Sequence, residues 1–205
     1  MKQYYDRYWE NIPAELADFH VKWPVLSTFI PFDKNCKILD YGCGKGKILS
    51  EIYKINPPAE LYGADISKIA LQSASKVVPK AKILWIDNDQ KVPLASNSLD
   101  LIVSLDVIEH IYDTEKVFQE FHRLVRRDGH LLVSTPYYGL IKNIIIALVG
   151  FGTVYDPISP HIRFYTKKSL IQMLHEHGFS ITKFGYYGRF LFVWRGMYAY
   201  CTKID

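Results

Sequence analysis

Residues 37–46, Lys-Ile-Leu-Asp-Tyr-Gly-Cys-Gly-Lys-Gly, combine a carboxylate with three glycines in a pattern that can bind a small ligand. Asp40 ends a short apolar run, and Gly42, Gly44 and Gly46 follow at every second position. Glycine has no Cβ, so the chain can turn sharply there and a ligand can approach the main chain closely. Since the carboxylate of Asp40 would repel a phosphate but attract an amino group, the pattern indicates a nucleotide-like ligand with a positively charged end.

Two other glycine-rich loops match these residues less well. The G-x-G-x-x-G loop of a dinucleotide-binding dehydrogenase cradles a pyrophosphate, but here the third glycine comes one residue early. A P-loop requires G-x-x-x-x-G-K-[ST], whereas Gly46-Lys47 is followed by Ile48 and is not preceded by the required glycine. The dehydrogenase stays a weak alternative, and the P-loop is excluded.

Further acids follow the next three apolar runs. Asp65 comes about 20 residues after the glycines, a spacing at which an acid accepts hydrogen bonds from the hydroxyls of an adenosine ribose. Asp87, with the backbone N–H of Asn88 after it, has the chemistry to pair with the edge of adenine. The stretch Leu105–His110, which includes Asp106, follows the fourth run and is expected to pass beneath the rest of the ligand.

Alternating strand-like and helix-like segments must position these acids. Five short apolar runs predict strands buried on both faces, and the segments between them include amphipathic helices. Strand–helix alternation implies right-handed crossovers, a parallel sheet and helices on both of its faces. The predicted strands are Ile38–Tyr41, Leu61–Ala64, Ile83–Ile86, Leu101–Leu105 and His130–Ser134, followed by an antiparallel edge of Ser180–Tyr186 and Met197–Thr202. The predicted helices are Ile48–Ile55, Ile66–Val77, Thr114–Arg126 with Thr114 as N-cap, and Thr166–His177.

The composition limits the class of protein without deciding its function. A chain of 205 residues with 49% apolar residues can form one domain with a sizeable core. The net charge of +4 comes from scattered basic residues, so we expect no nucleic-acid partner. The three cysteines form no CxxC pair, which favours a reducing compartment, and the longest apolar run is far shorter than the ~20 residues of a membrane-spanning helix. We therefore expect a cytoplasmic protein without a transmembrane segment.

Two segments depart from the alternation. Residues 1–31 are aromatic and partly helical and are predicted to form an N-terminal flap. Residues 137–165 follow the fifth strand and are predicted to form a lid insertion over the carboxyl ends of the strands, where open α/β sheets bind ligands. No domain boundary is evident, so residues 1–205 are predicted to form a single domain.

The motifs together resemble those of class I S-adenosylmethionine-dependent methyltransferases. Ile38–Gly46 looks like the first motif of that family, and Asp65, Asp87 and Ser104–His110 match the later motifs in order and spacing. The resemblance covers residues 35–136 and is greatest to the small-molecule (type 11) subgroup, which includes the ubiquinone-biosynthesis O-methyltransferases. Looser matches outside this block resemble uncharacterised members that lie among polysaccharide or lipid-glycan biosynthesis proteins.

The resemblance implies a Rossmann-like sheet of seven strands, with the sixth parallel and the seventh antiparallel. It also implies S-adenosyl-L-methionine as cofactor and S-adenosyl-L-homocysteine as product. Asp40 and the glycine backbone would bind the methionine part, and Asp65 the ribose. The full set of implied cofactor contacts is Tyr8, Asp40, Gly42, Cys43, Gly44, Asp65, Ile66, Asp87, Asn88, Leu105, Asp106 and His110.

The catalytic step requires alignment of the acceptor and, for a hydroxyl, a general base. His110 and His161 are the candidate bases, since an ordinary imidazole titrates near pH 6.5. For both, the alternative is a structural role in bracing a loop. Tyr137, Tyr138 and Arg163 are predicted to bind the acceptor substrate, with simple packing beneath the lid as the alternative for the tyrosines. No metal site is predicted.

The absence of two sequence motifs narrows the possible classes of methyl acceptor. The sequence after the fourth strand is Ser104-Leu105-Asp106-Val107, not the (Asn/Asp)-Pro-Pro-(Tyr/Phe) of enzymes that methylate DNA adenine or protein glutamine, and no Pro-Cys nucleophile is present. We therefore expect O-methylation of a small molecule, and the looser resemblance adds a glycan- or lipid-linked acceptor. The apolar stretches Ile144–Phe151 and Phe190–Trp194 are compatible with a partly lipidic acceptor or with contact to a membrane surface, although ordinary packing of the lid is the favoured explanation. The alternatives are N- or C-methylation of a small metabolite or of a glycan or lipid precursor, and a non-catalytic S-adenosylmethionine-binding protein.

Overall fold

A computed structural model describes residues 2–11, 18–33, 35–57, 60–87, 91–156, 159–188 and 193–204. The strands are β1 (Lys37–Tyr41), β2 (Glu60–Asp65), β3 (Lys82–Trp85), β4 (Leu99–Leu105), β5 (Val125–Pro136), β6 (Phe179–Tyr187) and β7 (Gly196–Lys203). The α-helices are α1 (Lys2–Asn11), α2 (Phe19–Leu26), α3 (Lys47–Ile55), α4 (Lys68–Val77), α5 (Thr114–Leu124), α6 (Leu140–Val149), α7 (Phe151–Val154) and α8 (Lys167–Glu176). Short 3-10 helices cover Ser27–Phe29 and Ile108–His110.

The seven strands form one sheet in the order β3-β2-β1-β4-β5-β7-β6. Strands β1 to β5 are parallel, whereas β7 runs antiparallel to both β5 and β6. The predicted Rossmann-like sheet is thus confirmed, including the antiparallel pair of last strands at the edge. Because β1, β2 and β4 end on the same side of the sheet, the acids at their carboxyl ends are brought together.

Both faces of the sheet are covered by hydrophobic packing. On β1, Leu39 belongs to the cluster that includes the α5 residue Phe121, while its neighbour Ile38 belongs to the cluster that includes Leu26 and Leu49 of α2 and α3. Successive side chains of a strand point to opposite faces, so this division shows that one strand supplies both cores. The helices on both faces and the apolar character of the central strands therefore agree with the sequence-based prediction.

Two helix starts differ from the prediction because a better capping residue lies nearby. The N-cap of α5 is Asp113, not Thr114: its carboxylate accepts a hydrogen bond from the backbone N–H of Lys116 at 3.2 Å. Aspartate caps helices at least as well as threonine, and Thr114 is itself buried. Helix α4 begins at Lys68, two residues later than predicted, because the side chain of Ser67 caps it.

Helices α6 and α7 lie in the predicted insertion, directly after β5. The chain then returns to the sheet, where the backbone N–H groups of Ile162 and Arg163 donate to the carbonyl oxygen of Glu109 at 3.0 and 3.1 Å. This pair of bonds fixes the end of the insertion beside the turn after β4. The role of the insertion as a lid stays a prediction. None of the described helices combines the length and apolarity needed to cross a bilayer.

Candidate functional site

A cavity of about 330 Å³ opens at the carboxyl ends of the central strands. It lies among the turn after β1, the ends of β2 and β4, helix α1 and the returning segment at His161. The predicted cofactor contacts that line it are Tyr8, Asp40, Gly42, Cys43, Gly44, Asp65, Ile66, Asp87, Leu105, Asp106 and His110. Asn88, the remaining predicted contact, lies outside the described residues.

The turn after β1 requires glycine at two positions. Gly42 and Gly44 have φ angles of +78° and +51°, in the left-handed region that disfavours residues with a Cβ. A Cβ on Gly42 would lie 2.4 Å from a methyl carbon of Val107, and one on Gly44 would lie 2.6 Å from the ring of Trp9. The main chain of this turn is therefore closely packed on both sides and lies open only toward the cavity.

The carboxylate of Asp40 is buried without a full set of partners. Asp40 is 2% exposed, and its Oδ2 atom has no hydrogen-bond partner among the described residues. Burial, together with the nearby charge of Asp65, raises the pKa of Asp40 to about 8. A buried carboxylate in this state is costly, and a cationic group in the cavity would relieve the cost.

Asp65 ties the ends of β1 and β2 together. Its Oδ2 atom accepts a hydrogen bond from the backbone N–H of Gly44 at 2.9 Å, and Oδ1 accepts one from the N–H of Ser67 at 2.8 Å. Burial raises the pKa of Asp65, and these backbone hydrogen bonds oppose the rise. An ionised carboxylate has about four acceptor positions, so two backbone bonds leave room for ligand hydroxyls.

Asp106, after β4, is the centre of a polar network. The ammonium of Lys22 lies 2.6 Å from Oδ2, and the hydroxyls of Ser134 and Tyr187 each donate to Oδ1 at 2.9 Å. Burial would raise the pKa of Asp106, but the charge of Lys22 and these hydrogen bonds outweigh it and hold the pKa below its ordinary value. Asp106 therefore stays ionised, and the network fixes the end of β4 against helix α2.

The two candidate bases lie side by side at the cavity wall. The ring centroids of His110 and His161 are 4.8 Å apart. Nδ1 of His110 is 3.0 Å from the carbonyl oxygen of Pro160, which can only accept, so Nδ1 carries the proton and Nε2 keeps its lone pair. Burial lowers the pKa of His110 to about 4 despite that hydrogen bond, and burial also lowers the pKa of His161. Both imidazoles are therefore neutral at pH 7.

Glu109 is fully buried beside this pair. Its Oε2 atom accepts a hydrogen bond from the hydroxyl of Thr135 at 3.1 Å, and Oε1 lies 3.9 Å from Nε2 of His110. Oε1 has no hydrogen-bond partner among the described residues. Burial, with the charge of Asp106 as the next cause, raises the pKa of Glu109 well above its ordinary value.

The three predicted acceptor contacts lie outside the lining of this cavity. Arg163 donates from Nε to the carbonyl oxygen of Ile111 at 2.9 Å and from its NH2 group to that of Tyr112, so its guanidinium holds a loop in place. Tyr137 packs its ring against Tyr186 and Trp194, and Tyr138 is buried against Tyr155 and Phe164. Their prediction as substrate contacts finds no support in these placements.

Aromatic residues of α1 cover one side of the cavity. Tyr5, Tyr8 and Trp9 all line it, since residues three and four positions apart share a helix face. Asp6 accepts a hydrogen bond from the Ser67 hydroxyl at 2.7 Å, which attaches α1 to the start of α4. Helix α1 therefore lies against the cavity and the start of α4. The flap role of residues 1–31 stays a prediction.

A family model described as a methyltransferase domain matches residues 8–183. The chain belongs to this methyltransferase family. A ubiquinone biosynthesis O-methyltransferase of Pelagibacter ubique is 27% identical over 157 residues, which cover 73% of this chain and 64% of that protein. A malonyl-acyl-carrier-protein O-methyltransferase of Legionella pneumophila is 33% identical over 101 residues, which cover 48% of this chain and 36% of that protein. The methyltransferase chain matched here thus spans less than two thirds of the length of either relative.

A solved structure shows the same fold. The magnesium protoporphyrin IX methyltransferase of Synechocystis, determined with bound S-adenosylhomocysteine, is 17% identical and has a TM-score of 0.68. The match covers 98% of this methyltransferase chain and 97% of the Synechocystis chain. The seven-stranded sheet and its helices are therefore those of a methyltransferase fold.

The residues of the cavity fit the methyl donor of this family. S-adenosylmethionine carries an amino group and a sulfonium, and the unpartnered Oδ2 atom of Asp40 is a suitable acceptor for a cation. The turn that carries Gly42 and Gly44 also lines this cavity, and a Cβ at either glycine would collide with Val107 or Trp9. The polar groups that line the cavity of this methyltransferase therefore fit S-adenosylmethionine, the cofactor that the sequence motifs imply.

Sequence reasoning missed several residues at this site. Lys22 gave one signal, a lysine within the largely apolar helix Phe19–Leu26, but its partner lies 84 residues further along the chain. Tyr5 and Trp9 share a helical face with the predicted Tyr8, and that spacing could have identified them. Tyr187 had no distinguishing signal, because its hydroxyl meets Asp106 only through the pairing of the last strands.

Proposed function

We propose that this chain is an S-adenosylmethionine-dependent methyltransferase that methylates a hydroxyl group of a small-molecule acceptor. The observation that carries the proposal is a single cavity lined both by the unpartnered Asp40 carboxylate and by the neutral imidazoles of His110 and His161. The names of the Pelagibacter and Legionella relatives, both O-methyltransferases, support a hydroxyl or carboxyl oxygen as the methyl acceptor.

Residues of the glycine turn and the next two strands would hold the cofactor. Asp40 binds the amino group, Asp65 the ribose hydroxyls, Ile66 the face of adenine and Asp87 its edge. When bound, S-adenosylmethionine supplies a methyl group already activated on a sulfonium. The protein therefore has to align the acceptor and exclude water, which can contribute up to ~7–11 kcal/mol in well-oriented model reactions.

The acceptor end has the means to activate a hydroxyl. Nε2 of His110 has a free lone pair, and His161 lies beside it. A group that removes the hydroxyl proton contributes roughly 10²–10⁴-fold to such a step. Residues 1–31 would cover the cofactor side of this single domain, and residues 137–165 the acceptor side.

An acceptor with an apolar or lipid-linked part is favoured by helix α6. Leu140, Leu148 and Val149 are 77%, 78% and 82% exposed, and of this apolar helix only Ile146 is buried. Tyr138, two residues after the end of β5 at the cavity edge, accepts a hydrogen bond on its carbonyl oxygen from the Asn143 side chain of α6. The apolar face of α6 would thus receive the lipidic part while the hydroxyl enters the cavity; the glycan-precursor alternative needs no such face.

We propose a cytoplasmic location from the state of the three cysteines. Cys36, Cys43 and Cys201 are all free and buried, which is usual in a reducing environment. The cytoplasm is such an environment.

The test is an acceptor screen that measures release of S-adenosylhomocysteine by the full chain. Phenols, hydroxylated lipid precursors and glycan precursors are compared, each with the wild-type protein and with Asp40→Asn. We expect turnover of a hydroxylated acceptor that Asp40→Asn abolishes together with cofactor binding. Cofactor binding without turnover of any acceptor class would favour the non-catalytic alternative, and unimpaired binding by Asp40→Asn would contradict the assignment of the cofactor site.

A further inference from the structure

Three side chains with metal-ligating atoms converge at the acceptor end of the cavity. One ligating atom each from Glu109, His110 and His161 lies within 4.8 Å of the other two. Two imidazoles and one carboxylate are the protein ligands of many mononuclear catalytic metal sites, where the remaining coordination positions stay open to water or substrate. The sequence predicted no metal because it shows no cluster of acids and amides, and about 50 residues separate the two histidines.

The carboxylate of Glu109 independently points to a ligand. Its side chain is 0% exposed, and Thr135 occupies Oε2, yet Oε1 has no hydrogen-bond partner among the described residues. A buried acceptor atom without a partner costs about 1–3 kcal/mol, and more when the group is charged. Since Oε1 faces the imidazole Nε2 of His110 at 3.9 Å, a cation between them would satisfy both lone pairs.

His110 is held in the form that binds metal. Its Nδ1–H donates to the carbonyl oxygen of Pro160 at 3.0 Å, which leaves Nε2 unprotonated. Metal-binding histidines almost always donate their second ring N–H to a carbonyl or carboxylate in this manner, which fixes the tautomer and the ring orientation. The neighbouring Asp106 is different, because Lys22, Ser134 and Tyr187 already occupy its oxygens.

The backbone brings the third ligand into place without help from a metal. The N–H groups of Ile162 and Arg163 donate to the carbonyl oxygen of Glu109, so the residue before them, His161, is fixed beside the Glu109–His110 pair. Metal–nitrogen and metal–oxygen bonds of ~2.0–2.2 Å require the ligand atoms to approach to about 3 Å of one another. The present distance of 3.9 Å between Oε1 of Glu109 and Nε2 of His110 must therefore shorten by about 1 Å when a metal binds.

We propose that Glu109, His110 and His161 bind a divalent transition-metal ion, and that this ion binds the acceptor oxygen; the second part rests on the proposed function. A metal-bound hydroxyl has a strongly lowered pKa, so its proton passes to solvent before transfer. The new O–CH₃ bond then forms as the S–CH₃ bond of the sulfonium breaks, with the electron pair left on sulfur. Acceptor hydroxyl and sulfonium thus become methyl ether, neutral thioether and one proton. With the ion bound, the imidazoles are its ligands, and the metal replaces the histidine base as the group that activates the hydroxyl.

The test measures metal binding without catalysis. The full chain is freed of metal with a chelator, dialysed, and titrated with Co²⁺, whose visible absorption reports nitrogen ligands, and with Mn²⁺, followed by electron paramagnetic resonance. Wild type is compared with Glu109→Gln, which keeps the shape of the side chain, with His161→Ala, and with the control His175→Ala, an exposed histidine of α8. We expect one ion per chain, and affinity at least about tenfold weaker in the two site variants but unchanged in the control. Calorimetry with S-adenosylmethionine checks that each variant is folded.

The outcomes separate the two proposals. Equal Co²⁺ affinity in the wild type and in both site variants would overturn the metal site. Methyl transfer at full rate after chelation would overturn the binding of the acceptor oxygen by the ion. Neither result affects the proposed methyl transfer. A metal site that is lost in the variants, combined with no turnover of any acceptor, would leave the metal site standing and count against methyl transfer.

Discussion

The ammonium of Lys22 lies 2.6 Å from the carboxylate of Asp106, and only 2% of Lys22 is exposed. This ion pair joins helix α2 to the end of β4, 84 residues away in sequence. The carboxylate would otherwise be pushed toward its neutral form by burial. The N-terminal region and the cavity are therefore coupled electrostatically as well as by packing.

Replacement of Lys22 by methionine should destabilise the protein strongly. The variant leaves Asp106 without its cation. Breaking one side of a fully buried ion pair costs about 3–5 kcal/mol, and because the Asp106 side chain is 28% exposed we expect a loss below that range but above that of a surface bridge. The control is Lys54→Met, which removes a more exposed bridge to Glu51 at 2.9 Å, worth at most about 1 kcal/mol. Urea unfolding followed by circular dichroism gives both values. Equal losses in the two variants would show that the Lys22 pair contributes no more than a surface bridge.

Loss of the Tyr187 hydroxyl should destabilise the same network by a smaller amount. Tyr187→Phe removes the donor at 2.9 Å from Asp106 and leaves the buried oxygen with one bond fewer, at a cost of about 1–3 kcal/mol. Tyr186→Phe, on the neighbouring residue of β6, is the matched control and should have little effect. The two variants are compared by their urea unfolding midpoints, provided that the dependence of the unfolding free energy on urea concentration is the same in both. If Tyr187→Phe were as stable as Tyr186→Phe, the hydrogen bond from Tyr187 to Asp106 would make no net contribution to stability.

Asp40 should make the stability of the ligand-free protein fall as pH rises. Its pKa is 3.8 for the ordinary group and about 8 in the folded state, so between these values the folded protein holds a proton that the unfolded chain has released. The free energy of unfolding then decreases by up to about 1.4 kcal/mol per pH unit from this group. Asp40→Asn should remove that slope, while Glu115→Gln, at an exposed position, should keep it.

The same carboxylate should make cofactor binding stronger at higher pH. The amino group and sulfonium of S-adenosylmethionine favour the ionised form of Asp40, so affinity should increase up to about pH 8 and then level off. Calorimetry in buffers of different ionisation enthalpy would detect the proton released on binding at pH 7. Binding to wild type that is independent of pH between 6 and 8 would be inconsistent with this role for Asp40.

An alanine at Gly44 should displace helix α1. Its Cβ would lie 2.6 Å from the Trp9 ring, and the φ of +51° is itself unfavourable for alanine. We expect a loss of more than about 1 kcal/mol and weaker cofactor binding, whereas Gly152→Ala, with no atom within 4 Å of the new Cβ, should be neutral or slightly stabilising. In a Trp9→Ala background the cost of Gly44→Ala should shrink, since the contact is gone. If Gly44→Ala cost as much stability in the Trp9→Ala background as in the wild type, the loss would come from the φ angle of residue 44 and not from the contact with Trp9.

The sequence was most informative where structure is local. Asp40 and the glycines are contiguous, and a strand, a sharp turn and a helix are specified by neighbouring residues. Asp65 could be predicted because a parallel crossover brings the ends of consecutive strands together. The N-cap of α5 was misassigned by one residue, since Asp113 and Thr114 are both good caps and only the fold decides between them.

The acceptor side was harder to predict because its contacts join distant segments. His110 and His161 were both singled out, but nothing in the sequence indicated that their rings would lie 4.8 Å apart or that Glu109 would be left without a partner. Arg163 was chosen for its charge, yet its guanidinium serves two backbone carbonyls. The sequence position of an arginine near a predicted site does not show which groups its guanidinium contacts.

Residues 137–160 are attached to the domain at both ends by main-chain hydrogen bonds. The N–H of Tyr137 donates to the carbonyl oxygen of Arg195, and the chain is fastened again where Ile162 and Arg163 meet the carbonyl oxygen of Glu109. Such bonds do not depend on side-chain identity. The stretch between them can therefore change in length and sequence while His161 stays where it is. Under the proposed role of this insertion, changes in the stretch are expected to alter acceptor preference without disturbing the rest of the site, which makes it the place to begin redesign toward new acceptors.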